Sequence, residues 1–361
     1  MKKIVSVLMT MVFALTLAAC NGKEADESVA PSTGVTINVY NWGEYIDNEE
    51  VDVNSEFEKA TGIKVNYTTF DNNEMMYTKV SSGAASYDVI FPSDYMVGKM
   101  IREGLLEKLN FENIPNYQYI DEKYKNLPYD PKNEYSVPYM WGTVGIFYNS
   151  KYVPEADLAQ GWDLLWDEKY SGKIFMFDNP RDAFGIALQK LGYSLNTENE
   201  AEWNAAYEEL VRQRPLLNGY VNDQVYDKMI NEEGWIAPYF AGDLQIMSLA
   251  DDGNPDIKLY VPPKSTNFFV DAMCIMKNSE HKKEAEAYIN FLCSTDIAKA
   301  NAEYVGYSTP QTEARKVLDP VIGENPLLYP SAEALKNTEM FLSLPDAINK
   351  LQDSLWLKLK K

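Results

Sequence analysis

From residue 35 onward the chain alternates between short apolar runs with strand character and longer stretches whose apolar residues recur at helical spacing. V-T-I-N-V-Y-N (35–41) reads as a strand, 49–60 as a helix stopped at Gly62, I-K-V-N-Y-T-T-F (63–70) as a strand, 74–82 as a helix, and Y-D-V-I-F-P (87–92) as a strand. A loop-rich piece (113–134) leads into Y-S-V-P-Y-M-W-G-T-V-G-I-F-Y-N (135–149). That long extended run, with Gly142 and Gly145 inside it, has the reach to cross from one domain to another. A second series follows. K-I-F-M-F-D (173–178) is a strand, and Asn179 and Pro180 supply the N-cap and first position of a helix running to 191. Helices at 198–212 and 223–232 precede strands at 235–243, 257–263 and 267–276. Amphipathic helices at 280–293 and 296–303 come next, and a last helix from 346 carries Ile348, Leu351, Leu355 and Leu359 as its stripe.

Such alternation predicts an α/β protein whose mainly parallel sheets are flanked by helices. In open sheets of that kind ligands sit beyond the carboxyl ends of the strands. The residues there are Trp42-Gly43-Glu44-Tyr45 and Ser93-Asp94-Tyr95, which offer rings and oxygens but no lysine or arginine. The run F-A-G-D (240–243) repeats the theme of strand end, aromatic and acid. Most telling is N-F-F-V-D-A-M-C-I-M (267–276), an apolar strand with Asp271 in its middle. A carboxylate buried alone costs several kcal/mol, so Asp271 requires a cap, a distant lysine or a cationic ligand.

The first 20 residues hold Lys2 and Lys3, an apolar run from Ile4 to Leu17, and L-A-A-C ending at Cys20. This predicts a signal peptide over 1–19 and lipidation of Cys20, with a polar tether over 20–34; an ordinary signal peptide and a membrane span are the rival readings. At 361 residues the remainder has room for two cores. A net charge of −21 argues against nucleic acid as a partner, and the 25 Tyr, 14 Phe and 7 Trp supply faces suited to ammonium groups. One histidine, His281, and the absence of phosphate-loop, dinucleotide, nucleophile-elbow or zinc-protease motifs leave no basis for catalysis, cofactor or metal. Cys274 and Cys293 lie in apolar runs and read as buried free thiols more readily than as a bridge.

At Y-N-W-G-E-Y (40–45) the chain begins to resemble the spermidine/putrescine-binding proteins of polyamine ABC transporters. The likeness continues through T-G-I-K-V-N-Y (61–67), Y-D-V-I-F-P-S-D-Y (87–95), Y-S-V-P-Y-M-W-G (135–142), D-N-P-R-D-A-F (178–184), L-Q-K-L-G-Y (188–193), V-D-A-M (270–273), I-N-F-L (289–292) and V-G-Y-S-T-P (305–310). It implies a periplasmic-binding-protein-like fold of type II, two hinge-linked lobes closing on the ligand. The expected lobes are 35–142 with 271–315, and 143–270 with 316–361.

Carried over position by position, the resemblance implies ligand contacts from Trp42, Glu44, Tyr45, Ser93, Tyr95, Asp182, Asp243, Asp271 and Tyr307. Phe240 and Phe269 stand where many members have tryptophan, Asn179 where spermidine-preferring members have aspartate, and Phe341 where they have a polar residue. These departures leave the order between putrescine and spermidine open. The implied protein is a monomeric, lipid-anchored, extracytoplasmic receptor that hands its polyamine to a permease and performs no chemistry. The alternatives are the same fold holding another small cationic solute, or a secreted hydrolase using Asp182 and Asp243 as a carboxylate pair.

Overall fold

The structure, a computed structural model, describes residues 33–83 and 85–361, so the expected signal peptide and Cys20 lie outside the described residues. Strands β1 (Thr36–Trp42), β2 (Lys64–Phe70) and β3 (Val89–Ile90) are parallel, with β1 in the middle. The helices Val53–Thr61 and Asn73–Ser81 connect them. The first of these starts four residues later than the sequence predicts. The Asp47 carboxylate accepts from the N–H groups of Glu49, Glu50 and Val51, holding that stretch as a turn, and Asp52 then caps the helix through the Ser55 N–H.

A helix not foreseen from the sequence, Asp94–Arg102, follows β3 directly and buries Met96, Val97 and Met100. The extended run predicted at 135–149 is β4 (Ser136–Asn149), buried along its whole length. The second α/β series builds β5 (Ile174–Phe177), helices Pro180–Lys190 and Glu200–Gln213, β6 (Leu217–Val221), helix Val225–Ile230, β7 (Ile236–Phe240) and β8 (Ile257–Tyr260). Strand β9 (Thr266–Ile275) then runs back, followed by helices Lys282–Leu292 and Thr295–Val305. Two-residue β10 (Thr338–Glu339) pairs with the start of β9, and helix Asp346–Lys360 closes the chain.

Eight of the strands form one path in the order β2-β1-β3-β9-β4-β7-β5-β6, with β10 pairing β9 and β8 pairing β4 off it. The outer strands are parallel, as expected, whereas β4 and β9 run antiparallel to each other and to β7, β8 and β3, and only the short β10 pairs β9 in parallel among the described residues. Residues 136–143 of β4 pair with β9, and residues 144–149 pair with β7 and β8. One strand therefore serves both ends of the molecule.

The buried apolar residues fall into clusters on either side of that crossing. Val144 to Leu259 contribute one core, joined by Leu344, Ile348, Leu355 and Leu359 from the C-terminus. Residues from Ile37 to Trp141 and from Phe269 onward build two others. Leu318, Ile322, Leu328 and Tyr329 pack with Tyr40, Met96 and Trp141 in the first body. The Pro-punctuated sequence there carries no periodicity to show which core it serves. Among the described residues no helix is long and apolar enough to span a membrane, and Cys274 and Cys293 are buried free thiols.

Candidate functional site

Between the two bodies lies a cleft of about 870 Å³, open to solvent. The ends of β1 and β3 supply its first wall, as the carboxyl-end rule for open sheets predicts. Trp42 is fixed by its indole N–H donating to the Phe91 carbonyl at 2.8 Å, and its ring rests on Phe70 at 4.6 Å between centroids. Tyr95, at the start of helix Asp94–Arg102, donates its hydroxyl to Glu74 Oε1 at 2.8 Å. The second wall comes from the N-terminus of helix Pro180–Lys190, where Asn179 Oδ1 accepts from the Asp182 N–H at 2.8 Å, and from β7, which ends in Phe240 just before Asp243. Phe269 of β9, Tyr307 and Phe341 complete the lining.

Twelve of the residues expected from the sequence line this cleft: Trp42, Glu44, Tyr45, Ser93, Tyr95, Asn179, Asp182, Phe240, Asp243, Phe269, Tyr307 and Phe341. Asp271 does not. It lies one layer behind the wall, where its carboxylate accepts from Tyr45 Oη and Ser93 Oγ, both at 2.6 Å, and Asn73 Nδ2 donates to Ser93 Oγ at 3.1 Å. Its partners are thus neutral hydroxyls, neither a distant lysine nor a turn. Burial lifts its carboxyl to about 6, against the two hydrogen bonds that favour ionisation.

The other acids are displaced the same way. Asp182 rises to about 7 through burial, with Glu74 and Asp271 adding repulsion while the Asn179 bond and Arg181 oppose it. Asp243, 2% exposed, is raised well above its ordinary value by burial, although Tyr307 donates to one oxygen at 2.8 Å and Tyr226 to the other at 3.2 Å. Glu74 and fully buried Asp94 are raised too, again chiefly by burial. Glu44, Asp71, Glu74, Asp94, Asp182, Asp223 and Asp243 all face the cleft, and among the described residues no lysine, arginine or histidine lines it. Of these seven carboxyl groups Glu44, Asp71 and Asp223 are exposed while Glu74, Asp94, Asp182 and Asp243 are raised by burial, and with no cation among the described lining residues they form a trap for positive charge.

Aromatic rings alternate with these acids. Tyr45 and Tyr307 meet edge to face at 5.1 Å, and Phe269 stands 5.3 Å from Phe240 and 6.2 Å from Tyr307. Phe341 lies 6.0 Å from Tyr95, with the buried Arg181 guanidinium over its ring at 4.4 Å. Glycines permit this closeness. A methyl group at Gly142 would meet the Phe269 ring at 2.9 Å, and one at Gly242 would meet Tyr307 at 2.0 Å.

Sequence reasoning missed Glu74, Asp94, Asp223, Tyr226 and Tyr239. Asp94 stood in the inspected S-D-Y segment, and Glu74 follows the N-cap Asn72 on a predicted helix, but neither is marked by its own neighbours. Among the described residues no group of histidine, cysteine and carboxylates is placed to hold a metal ion.

Residues 53–330 match the family model for bacterial extracellular solute-binding proteins. The spermidine/putrescine-binding periplasmic protein of Escherichia coli (strain K12) is 36% identical over 305 residues, covering 84% of this chain and 86% of that protein. Among solved structures, a candidate spermidine/putrescine ABC transporter protein from Listeria monocytogenes superposes with a TM-score of 0.84 at 36% identity, covering 90% of this chain and 98% of the other. The Tp0655 (TpPotD) lipoprotein of Treponema pallidum superposes with a TM-score of 0.78 at 28% identity, covering 90% of this chain and 99% of the other. The fold is therefore that of the periplasmic binding proteins.

Proposed function

Because the chain belongs to the bacterial extracellular solute-binding proteins, a family of transporter components rather than enzymes, we propose that it captures a polyamine between its two bodies and delivers it to an ABC permease. The observation that carries this reading is the lining itself: seven carboxyl groups and a run of aromatic rings, with no cationic side chain among the described residues that line it. A polyamine is a chain of methylenes punctuated by ammonium groups. Rings cover the methylenes and add about 0.5–2 kcal/mol each beside an ammonium, while the carboxylates supply charge-assisted hydrogen bonds. The similarity to the spermidine/putrescine-binding periplasmic protein of Escherichia coli supports the same ligand class.

Asp271 works from behind the wall. Its negative charge polarises the Tyr45 and Ser93 hydroxyls that donate to it, leaving their oxygen lone pairs turned toward an incoming N–H donor. Trp42, Glu44, Tyr45, Ser93 and Tyr95 hold the ligand from the first body. Asn179, Asp182, Phe240 and Asp243 hold it from the second, with Phe269, Tyr307 and Phe341 between. The lobes bend about the β4–β9 crossing, with the first lobe extended to include 316–329. Cys20 carries the lipid that tethers this monomeric receptor outside the cell membrane, a reading supported by the lipoprotein similarity in Treponema pallidum.

Isothermal titration of the soluble body with putrescine, spermidine and, as a control, glutamate tests the reading. Saturable binding of an amine without binding of the anion is expected. Binding of neither amine by folded, ligand-free protein refutes it and leaves a receptor for some other solute.

A further inference from the structure

The acids of the cleft are not equally available to a ligand. Asp243 and Asp271 each have both oxygens engaged by protein hydroxyls, at 2.8 and 3.2 Å and at 2.6 and 2.6 Å. Asp223 differs. It precedes helix Val225–Ile230 in the second body, is exposed at the cleft mouth, and accepts from Tyr239 Oη on Oδ1 at 3.0 Å. No hydrogen bond from the described residues reaches its Oδ2. That oxygen instead faces Gly43 in the first body, so closely that a methyl group on Gly43 would lie 3.2 Å from it. The free oxygen thus stands where the two bodies meet across the cleft.

The acids also fall in an order. Asp182 is under the influence of Glu74 and of Asp271; Asp243 is under that of Asp223; and the Tyr45 hydroxyl stands near both Asp271 and Asp243. This gives three anionic stations, with Glu74 and Asp182 at one end, Asp271 behind the middle, and Asp243 and Asp223 at the other end. Rings of Tyr45, Tyr307, Phe240 and Phe269 lie between them.

We propose that Asp223 is a specificity-determining residue: its free oxygen beside Gly43 receives the outermost ammonium of a three-cation ligand, so the cleft selects a triamine over a diamine. The inference rests on the polyamine reading above. A diamine satisfies only two stations and leaves the mouth carboxylate hydrated, whereas a triamine fills all three. Specificity then follows from the number of acids paired.

The test titrates spermidine and putrescine into the wild-type soluble body, Asp223→Asn and Gly43→Ala. In the wild type spermidine is expected to bind more tightly than putrescine. Asp223→Asn is expected to weaken spermidine about tenfold, the usual scale for a charged hydrogen bond, and to weaken it at least fivefold more than putrescine. Gly43→Ala, which crowds the same oxygen, is expected to narrow the preference in the same direction. Wild-type preference for putrescine, or equal losses for both amines in Asp223→Asn, overturns the inference while the polyamine reading stands. Failure of the wild type to bind either amine overturns the polyamine reading itself.

Discussion

Replacing Asp271 by asparagine separates what this residue does for the ligand from what it does for the fold. The carboxylate is 5% exposed and bonded only to hydroxyls, and its carboxyl is raised from 3.8 to about 6. A rise of that size corresponds to about 3 kcal/mol of cost for holding the charged form in the empty protein at neutral pH. The sign follows directly. A carboxyl with a raised folded pKa contributes stability that is complete below its unfolded value and is lost as pH climbs through 6. Asp271→Asn removes the charge and keeps most of the shape, although one hydroxyl must turn to accept from the new amide. The empty variant is therefore expected to melt at or a few degrees above the wild type at pH 7.5, and to lose part of the wild type's decline in melting temperature between pH 4 and 7.

Binding behaves oppositely. Losing the charge that the Tyr45 and Ser93 hydroxyls answer removes charge-assisted hydrogen bonding worth about 1.5–3 kcal/mol, so polyamine affinity is expected to fall about tenfold to 150-fold. Calorimetric titration and thermal melts on the same samples read both quantities. A variant that binds within threefold of wild type, or that melts far below it when empty, would refute the assignment of Asp271 as a charge held for the ligand.

Gly242→Ala places a methyl group 2.0 Å from the Tyr307 ring, which must swing away from Asp243. A loss of about 1–3 kcal/mol in denaturant stability is expected, together with weakened binding; unchanged values for both contradict the packing. Tyr307→Phe removes one of the two donors to Asp243, and without it that buried carboxyl is held still further toward its neutral form, so amine affinity measured by titration at pH 7 should drop several-fold; unchanged affinity contradicts that role. Because Asp271 titrates near 6 and Asp182 near 7 in the empty cleft, a bound cation draws both back toward ionisation and expels protons. At pH 6.5 the measured enthalpy is expected to vary with the ionisation enthalpy of the buffer, by about one proton per amine bound, and affinity should rise from pH 5 to 8; a buffer-independent enthalpy excludes that coupling.

The sheet architecture was legible because strands β1, β2, β5 and β7 carry their own apolar runs between turn residues. The same local signals failed where tertiary contacts decide. Helix Asp94–Arg102 begins within the segment inspected as a strand end, and its apolar positions Met96, Val97 and Met100 show helical spacing only once the strand is known to stop at Ile90. Strand β6, L-N-G-Y-V, contains an asparagine and a glycine and gains its identity from pairing with β5. In the site, aromatics and acids at strand ends were visible as a repeated theme. The division of labour among the acids was not, because whether Asp243 is saturated and Asp223 free depends on Tyr226, Tyr239 and Tyr307, each brought in by folding.

The crossing of β4 and β9 has a thermodynamic consequence. Strand β4 contributes residues to the cores on both sides, through Val137 and Met140 on one and Ile146 and Phe147 on the other, while β9 pairs with it along the first. Neither half can then be excised as a fragment that folds alone, since a cut between them would divide β4. Melting should proceed as a single cooperative transition instead of two. A ligand gripping Phe269 of β9 accordingly stabilises the entire chain at once, and occupancy is registered wherever the protein's unfolding is observed.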